Sequence, residues 1–285
     1  MAAFLASVLS FLLPRVHAHL ARYSGTCSPR VIPLPSQPHL LVSSERIASF
    51  DEVLVIGDVH GCYDELIELL TKARDSAPDS TKRMLKVFVG DLVNKGPKSR
   101  QVLQFLLQPD SRETCLSVRG NHDDVVVDQI LNVIRKDASK LPLKNKWMEE
   151  VTDEELHFLM ELPYTIHMPS LNALIVHAGV TPGVSVEEMD PRDLVSMRNV
   201  VKRSDGSGFT PTKSHKEGSA WATSWLGPQH VYFGHDARRM LQETPHATGL
   251  DTGCVYGKEL TGVFIKGTRV GQFISVKAKG VHQQV

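Results

Sequence analysis

Val53-Leu-Val-Ile56 runs directly into Gly57-Asp-Val-His-Gly61: an unbroken apolar tetrapeptide, then a glycine-bounded turn that carries a carboxylate and an imidazole. A short apolar run of this kind reads as a strand buried on both faces, the pattern of a parallel sheet. The same juxtaposition recurs along the chain. Val87-Phe-Val89 leads into Gly90-Asp-Leu-Val-Asn-Lys-Gly-Pro97, and Leu116-Ser-Val118 into Arg119-Gly-Asn-His-Asp123. Leu174-Ile-Val176 leads into His177-Ala-Gly179, and Val231-Tyr-Phe233 into Gly234-His235. Sheets in α/β proteins carry their sites beyond the carboxyl ends of such strands, so the five segments are expected to gather oxygen ligands and imidazoles at one edge of one sheet. One Gly-Asp after a strand is an ordinary turn, and one buried His an ordinary core residue. Five such segments in succession are not explained by turns. The set suits divalent cations, and two cations side by side suit phosphoester hydrolysis.

The composition permits this and excludes alternatives. A chain of 285 residues is long enough for one large α/β domain. Lys+Arg and Asp+Glu are each 32, so charge implies no nucleic-acid or membrane-surface role. RNA would enter only as a capped substrate, and a monomer is expected. Cys27, Cys62, Cys115 and Cys254 form no CxxC pair and no disulfide framework. Cys62 and Cys254 fall close to the candidate site in sequence and read as small packing residues, with a redox or inhibitory-metal role as the alternative.

The first 44 residues contain no Asp or Glu, and Met1 to Pro14 is almost wholly apolar. That run is shorter than the roughly 20 residues a membrane-spanning helix needs. Residues 1–23 are expected to be a signal or transit segment. Val16-His-Ala18 is similar to a small-residue cleavage site, while Arg15, Arg22 and Arg30 among serines also fit a mitochondrial presequence. A functional signal implies a secretory or mitochondrial destination; without one the protein stays in the cytoplasm. Residues 24–48, with Pro29, Pro33, Pro35 and Pro38, read as an extended linker. The folded domain is expected over residues 49–280, with 281–285 as a tail.

Within the domain, Leu66, Leu69, Leu70 and Ala73 recur at helical spacing after the first strand. Further helices are expected over Ser99 to Leu107, over Asp124 to Lys136 (Val127, Ile130, Leu131, Ile134) and between Leu141 and Pro163. Glu187 to Pro228 is irregular, with a Gly/Ser/Thr/Pro-rich patch at Ser204 to Thr212, and reads as a loop in a cap region. Leu260 to Ile265 and Val270 to Val276 read as a terminal antiparallel hairpin.

The strand-end residues divide into two ligand sets. Asp58, His60 and Asp91 would hold one cation; Asp91, Asn121, His177 and His235 would hold the other, with the two oxygens of Asp91 bridging. Cations ~3.5–4 Å apart would share a water and lower its pKa toward ~7, making a nucleophile at neutral pH. Mixed N/O ligands admit manganese, iron, zinc or cobalt. Gly57, Gly61, Gly90 and Gly120 allow tight turns at the strand ends. His122 neighbours Asn121 but points elsewhere on an extended segment, so it is better placed to protonate the leaving oxygen as a general acid. Phosphate would be gripped by Lys95, Arg198 and Arg119. For Arg119 a structural salt bridge is the competing reading.

In this order GDVHG, GDLVNKG, GNHD, VHAG and GH resemble the calcineurin-like metallophosphoesterases of the phosphoprotein phosphatase superfamily, over Val53 to Val276. With GLDTGCVYG added, the chain resembles the symmetrical bis(5′-nucleosyl)-tetraphosphatase branch and its eukaryotic ApaH-like relatives. The resemblance implies a four-layer α/β/β/α sandwich, a dinuclear site at the strands' carboxyl ends and a helical or loop cap. It also implies a metallophosphatase acting on phosphoanhydrides: dinucleoside polyphosphates, inorganic polyphosphate or a related substrate. The alternative is a protein serine/threonine phosphatase. Those enzymes carry Asp-Arg where this chain has Asn94-Lys95. Asn94 is expected to accept a hydrogen bond from His122 in the catalytic group, without the charge of an acid; Lys95 is a point charge with no bidentate geometry. The tyrosine-containing C-terminal segment of the protein phosphatases is not evident, with Asp251-Thr-Gly-Cys254 in its place.

Overall fold

Alternation along the strands sorts the apolar residues into separate layers, because successive side chains of a strand face opposite ways. The computed structural model describes residues 32–77, 79, 81–134, 141 and 143–284. The expected leader and the start of the expected linker, Pro29 included, lie outside the described residues. In chain order the first strands are β1 (His39–Leu41), β2 (Glu52–Ile56), β3 (Met84–Phe88), β4 (Cys115–Ser117), β5 (Thr165–Met168) and β6 (Ala173–Val176). They are followed by β7 (Asn199–Lys202), β8 (Phe209–Thr212), β9 (Ser219–Ala220) and β10 (His230–Phe233). The last are β11 (Gln242–Thr244), β12 (Ala247–Gly249), β13 (Glu259–Lys266) and β14 (Phe273–Lys277).

Two large sheets result, not the single sheet expected from the strands alone. One has five strands in the order β14-β13-β2-β3-β4; the other has six, β1-β5-β6-β10-β12-β11. The strands that end in candidate ligands divide between them: β2, β3 and β4 run parallel in the first, and β6 and β10 run parallel in the second. A long-range pairing order of this kind carries no local sequence signal.

Val53, Val55, Leu85 and Val87 pack with Ile166, Met168, Ala173 and Ile175 in a core between the sheets. Their strand neighbours Leu54, Ile56 and Phe88 face the other way. These meet Leu66 and Leu69 of the helix Tyr63–Asp75, Val102 and Leu103 of Ser99–Leu106, and Val126 and Val127 of Asn121–Ile134. On the far face of the six-stranded sheet, Leu174, Val176, Val231 and Phe233 pack against Leu194, Met197, Val200 and Trp221. The order is helices, sheet, sheet, cap: the four-layer sandwich. Its last layer is thin, made of the short helices Pro191–Leu194 and Trp221–Ser224 and a three-stranded sheet, β8-β7-β9. The Ser204 to Thr212 patch is therefore a β7–β8 hairpin with its turn, where a loop was expected.

Three boundaries differ from the sequence reading. Residues 33–48 belong to the folded body and are not a linker. There β1 pairs with β5, and Pro38 accepts a hydrogen bond from the Tyr164 N–H at 2.8 Å. Prolines suppress any periodic signal, but they leave carbonyls to accept and permit an edge strand beside them. Residues 281–284 are docked, since His282 and Gln283 both donate to the Val255 carbonyl, at 3.0 and 3.1 Å. The stretch from Leu141 to Pro163 splits into a 3₁₀ segment, Leu143–Glu150, and a helix, Asp153–Glu161, that begins at a Thr152/Glu155 capping box. The terminal hairpin forms as β13 and β14, with β13 also pairing β2. No helix among the described residues is long and apolar enough to cross a membrane.

Candidate active site

Turns at the strand ends hold the polar residues in unusual backbone. His60, Asp91, Asn94, Lys95 and His235 all have positive φ, from 48° to 76°. Side-chain-bearing residues resist that region, so such strain persists only where the surrounding packing enforces it. Glycine permits the close approach: a Cβ on Gly234 would lie 1.9 Å from Asp58 Oδ1, and one on Gly120 would lie 2.2 Å from the Asp91 N. Asp123, which the sequence reading did not single out, ties two of these loops together. It accepts from the N–H groups of Leu92, Val93 and Gly120 at 3.0, 3.3 and 2.8 Å.

The six expected ligands come together. His60 Nε2 lies 3.3 Å from Asp91 Oδ2 and 4.0 Å from Asp58 Oδ2. On the other side, His177 Nε2 is 3.4 Å from Asp91 Oδ1 and 3.1 Å from Asn121 Oδ1. Asn121 Oδ1 is also 2.8 Å from His235 Nδ1. The two oxygens of Asp91 therefore face two different imidazoles, the arrangement of a bridging carboxylate. Buried Asp58, His60 and Asp91 by themselves form a group able to hold a cation.

Proton placement shows that cations fit. His177 Nδ1–H donates to the Val89 carbonyl at 2.8 Å, and His60 Nδ1–H to the Val93 carbonyl at 3.4 Å. A carbonyl cannot donate, so the proton must sit on Nδ1, leaving a lone pair on each Nε2. Burial lowers the pKa of His177 and pushes those of His60 and His235 well below the usual range, which keeps the rings neutral. His177 Nε2, Asp91 Oδ1 and Asn121 Oδ1 then confront one another as acceptors with no hydrogen between them, a contact that a cation relieves.

The carboxylates agree. Burial pushes Asp58 well above the usual range, with Asp251 and Asp91 adding to the rise. Burial likewise carries Asp251 up to about 6. Asp91 is also penalised by burial, yet its carboxyl is held well below the usual range, by His177, His60 and His122 where those rings carry charge and by Lys95. The Lys95 ammonium stands among these acceptors, its Nζ donating to His60 Nε2 at 3.1 Å and to the Tyr256 hydroxyl at 3.0 Å.

The chain as a whole has counterparts among known proteins. The calcineurin-like phosphoesterase profile matches residues 52–248. This chain is a calcineurin-like phosphoesterase. It is 32% identical over 263 residues to the symmetrical bis(5′-nucleosyl)-tetraphosphatase of Coxiella burnetii, covering 74% of this chain and 88% of that one. It is 25% identical over 224 residues to the asymmetrical bis(5′-nucleosyl)-tetraphosphatase PrpE of Bacillus velezensis, covering 73% and 86%. A solved structure described as a candidate diadenosine tetraphosphatase superposes with a TM-score of 0.68 at 33% identity, over 86% of this chain and all of that one. The protein is thus a hydrolase of the phosphatase class.

Around the donors of this phosphoesterase, the other expected site residues part company. His122 lies beside Asp91, its backbone N–H donating to Asp91 Oδ1 at 2.8 Å, and its ring meets that of His60 edge-on at 5.0 Å. Asn94 Oδ1 is occupied by the Lys95 N–H at 2.9 Å, which turns its amide nitrogen toward His122 Nδ1 at 3.1 Å. Asn94 therefore donates to His122, the reverse of the expected direction, and the imidazole proton belongs on Nε2. Tyr256 was missed although it stands inside the quoted GLDTGCVYG, because its contact with Lys95 spans 161 positions of chain.

Arg119 is withdrawn from the phosphate-binding set. It is fully buried and donates to the carbonyls of Pro33 and Met160, to Asp124 and to the Tyr164 hydroxyl. Its partners come from segments far apart in sequence, so only the structural salt-bridge reading fits its position. Arg198 is half-buried and lines a cavity with His235 and Tyr256. Cys62 and Cys254 are buried free thiols grouped with the carboxylate of Glu65.

Proposed function

We propose that this phosphoesterase is a dimetal enzyme that hydrolyses phosphoanhydride bonds in a nucleotide-type substrate such as a dinucleoside polyphosphate, or in inorganic polyphosphate. The single observation that carries this reading is the Asn94 side chain, whose amide donates to His122 Nδ1. An amide that donates to Nδ1 disfavours the imidazolium, so such a ring is charged, and able to give up a proton, only over a lower pH range than one paired with a carboxylate. It suits a leaving group that needs little protonation. A phosphate leaving from an anhydride meets that condition; a serine alkoxide does not. The two relatives named for bis(5′-nucleosyl)-tetraphosphates support the same substrate class.

Asp58, His60 and Asp91 would hold one cation, and Asp91, Asn121, His177 and His235 the other. When bound, the pair supplies Lewis-acid polarisation of phosphate and an acidified water. The chain's own groups do the rest. His122 carries a proton at Nε2, Asn94 fixes its ring, and Lys95 and Arg198 offer cationic donors to phosphate oxygens. Tyr256 positions Lys95.

The test is release of nucleotide from a dinucleoside tetraphosphate, followed chromatographically. Activity should vanish on exhaustive chelation and return when manganese is added. Turnover that survives verified metal removal would end the proposal.

A further inference from the structure

Two cavities meet at Arg198 and His235, and their charges differ. The one of about 370 Å³ is mixed, with the carboxylates of Asp124 and Asp128 beside Arg192 and Lys213. The other, about 350 Å³, is lined by Arg198, Arg238, His215, Asp236, His235 and Tyr256. Its acid is already spoken for: Asp236 Oδ1 faces His215 Nε2 at 2.9 Å, and Oδ2 accepts from Arg239 Nη1 at 2.5 Å. Arg239 Nη2 donates to Asn199 Oδ1 at 2.6 Å, so this guanidinium is committed on both branches.

Arg198 and Arg238 are not committed in this way. Arg238 is exposed and has no acidic partner among the described residues. Arg198 donates through Nη1 to the Lys213 carbonyl at a long 3.5 Å, and its buried Nε has no partner. Burial lowers the pKa of Arg198 against the pull of Asp236, and Arg238 and Arg239 add to the fall. Like charges are thus held together beside the candidate metal donors, with neither Arg198 nor Arg238 in an ion pair among the described residues. Two uncommitted guanidinia bordering one cavity make a site for clustered phosphate oxygens.

We infer that this cavity is a distal-phosphate subsite, in which Arg238 and Arg198 hold phosphates of the substrate beyond the one being hydrolysed. The inference rests on the phosphoanhydride reading and deepens it: the ligand is a linear polyphosphate chain, whether free or within a dinucleoside polyphosphate. Arg238 follows the last expected metal ligand, His235, by three positions. It acts as a specificity residue, favouring long phosphate chains over single phosphates.

The experiment measures competitive inhibition of aryl phosphate hydrolysis by the manganese-loaded full chain, with orthophosphate, inorganic tripolyphosphate and a dinucleoside tetraphosphate as the probes. Arg238→Ala should weaken tripolyphosphate by roughly 10–100-fold more than orthophosphate, as expected for loss of a charge-assisted contact. Arg238→Lys should fall between, keeping the charge without the fork. An equal loss with the dinucleoside tetraphosphate assigns the subsite to a nucleotide's chain; a loss confined to tripolyphosphate assigns it to free polyphosphate. No loss, or the same loss for orthophosphate as for tripolyphosphate, overturns the inference. Failure of the wild-type enzyme to cleave any phosphoanhydride would instead overturn the underlying reading, and the inhibition data would remain interpretable without it.

Discussion

His122 and Asn94 carry the sharpest consequences for chemistry. His122→Asn should lower kcat by roughly 10²–10⁴-fold, the range of general acid–base groups. Metal content should stay at the wild-type value, because neither ring nitrogen of His122 belongs to the donor set; loss of a metal in the variant would contradict the assignment. Asn94→Asp should act on pH dependence. Burial holds His122 below the usual histidine range, with Lys95, His177 and Arg198 contributing and Asp91 opposing. A carboxylate at position 94 would accept the Nδ1–H and favour the charged ring, raising its pKa. A general acid works while protonated, so the alkaline limb of kcat for an aryl phosphate should move to higher pH by about one unit or more. An unmoved limb would count against the hydrogen bond. The candidate metal donors were legible because each is an acid, amide or imidazole just beyond a buried strand. Arg119 and Tyr256 were not, since burial beneath Tyr164 and contact with Lys95 are set by segments distant in sequence.

At the scale of elements, the apolar runs named their strands correctly, while the partition of those strands between two sheets was invisible to local pattern. Only residues with alternating partners, such as Val53 toward the inter-sheet core and Leu54 toward the helices, encode it. The proline-rich start misled in the opposite sense: lack of period was read as lack of structure, yet β1 lies at the edge of the six-stranded sheet. A chain that begins at Ile32 is the reference for the contribution of this segment. Removing residues 1–42 deletes β1 and the Pro33 carbonyl that Arg119 uses, and should lower Tm by roughly 5–15 °C, at about 2–4 °C per kcal/mol for a domain of this size. Equal melting temperatures for the two truncations, read by calorimetry, would contradict the packing described for this segment.

Over the whole molecule, two sheets direct their carboxyl ends at a common point, and the residues collected there oppose one another until cations arrive. Asp58, Asp91 and Asp251 are buried side by side, a cost that ligand binding to the folded state offsets by mass action. Added manganese should accordingly raise the Tm of metal-stripped protein, and Asp91→Asn should blunt that rise as it abolishes turnover; an undiminished rise would remove Asp91 from the bridge. On the proposed reading, substrate choice follows from what surrounds the candidate metal site: Asn94 in place of an acid, Lys95 in place of a fork, and Arg198 and Arg238 along a cavity. The most direct measurement is kcat/KM for a dinucleoside tetraphosphate and for a phosphoserine peptide, taken on one manganese-loaded preparation at one pH. The dinucleoside tetraphosphate should be the better substrate by at least roughly tenfold, the value of one good charge-assisted contact; a higher kcat/KM for the phosphopeptide would contradict the phosphoanhydride assignment.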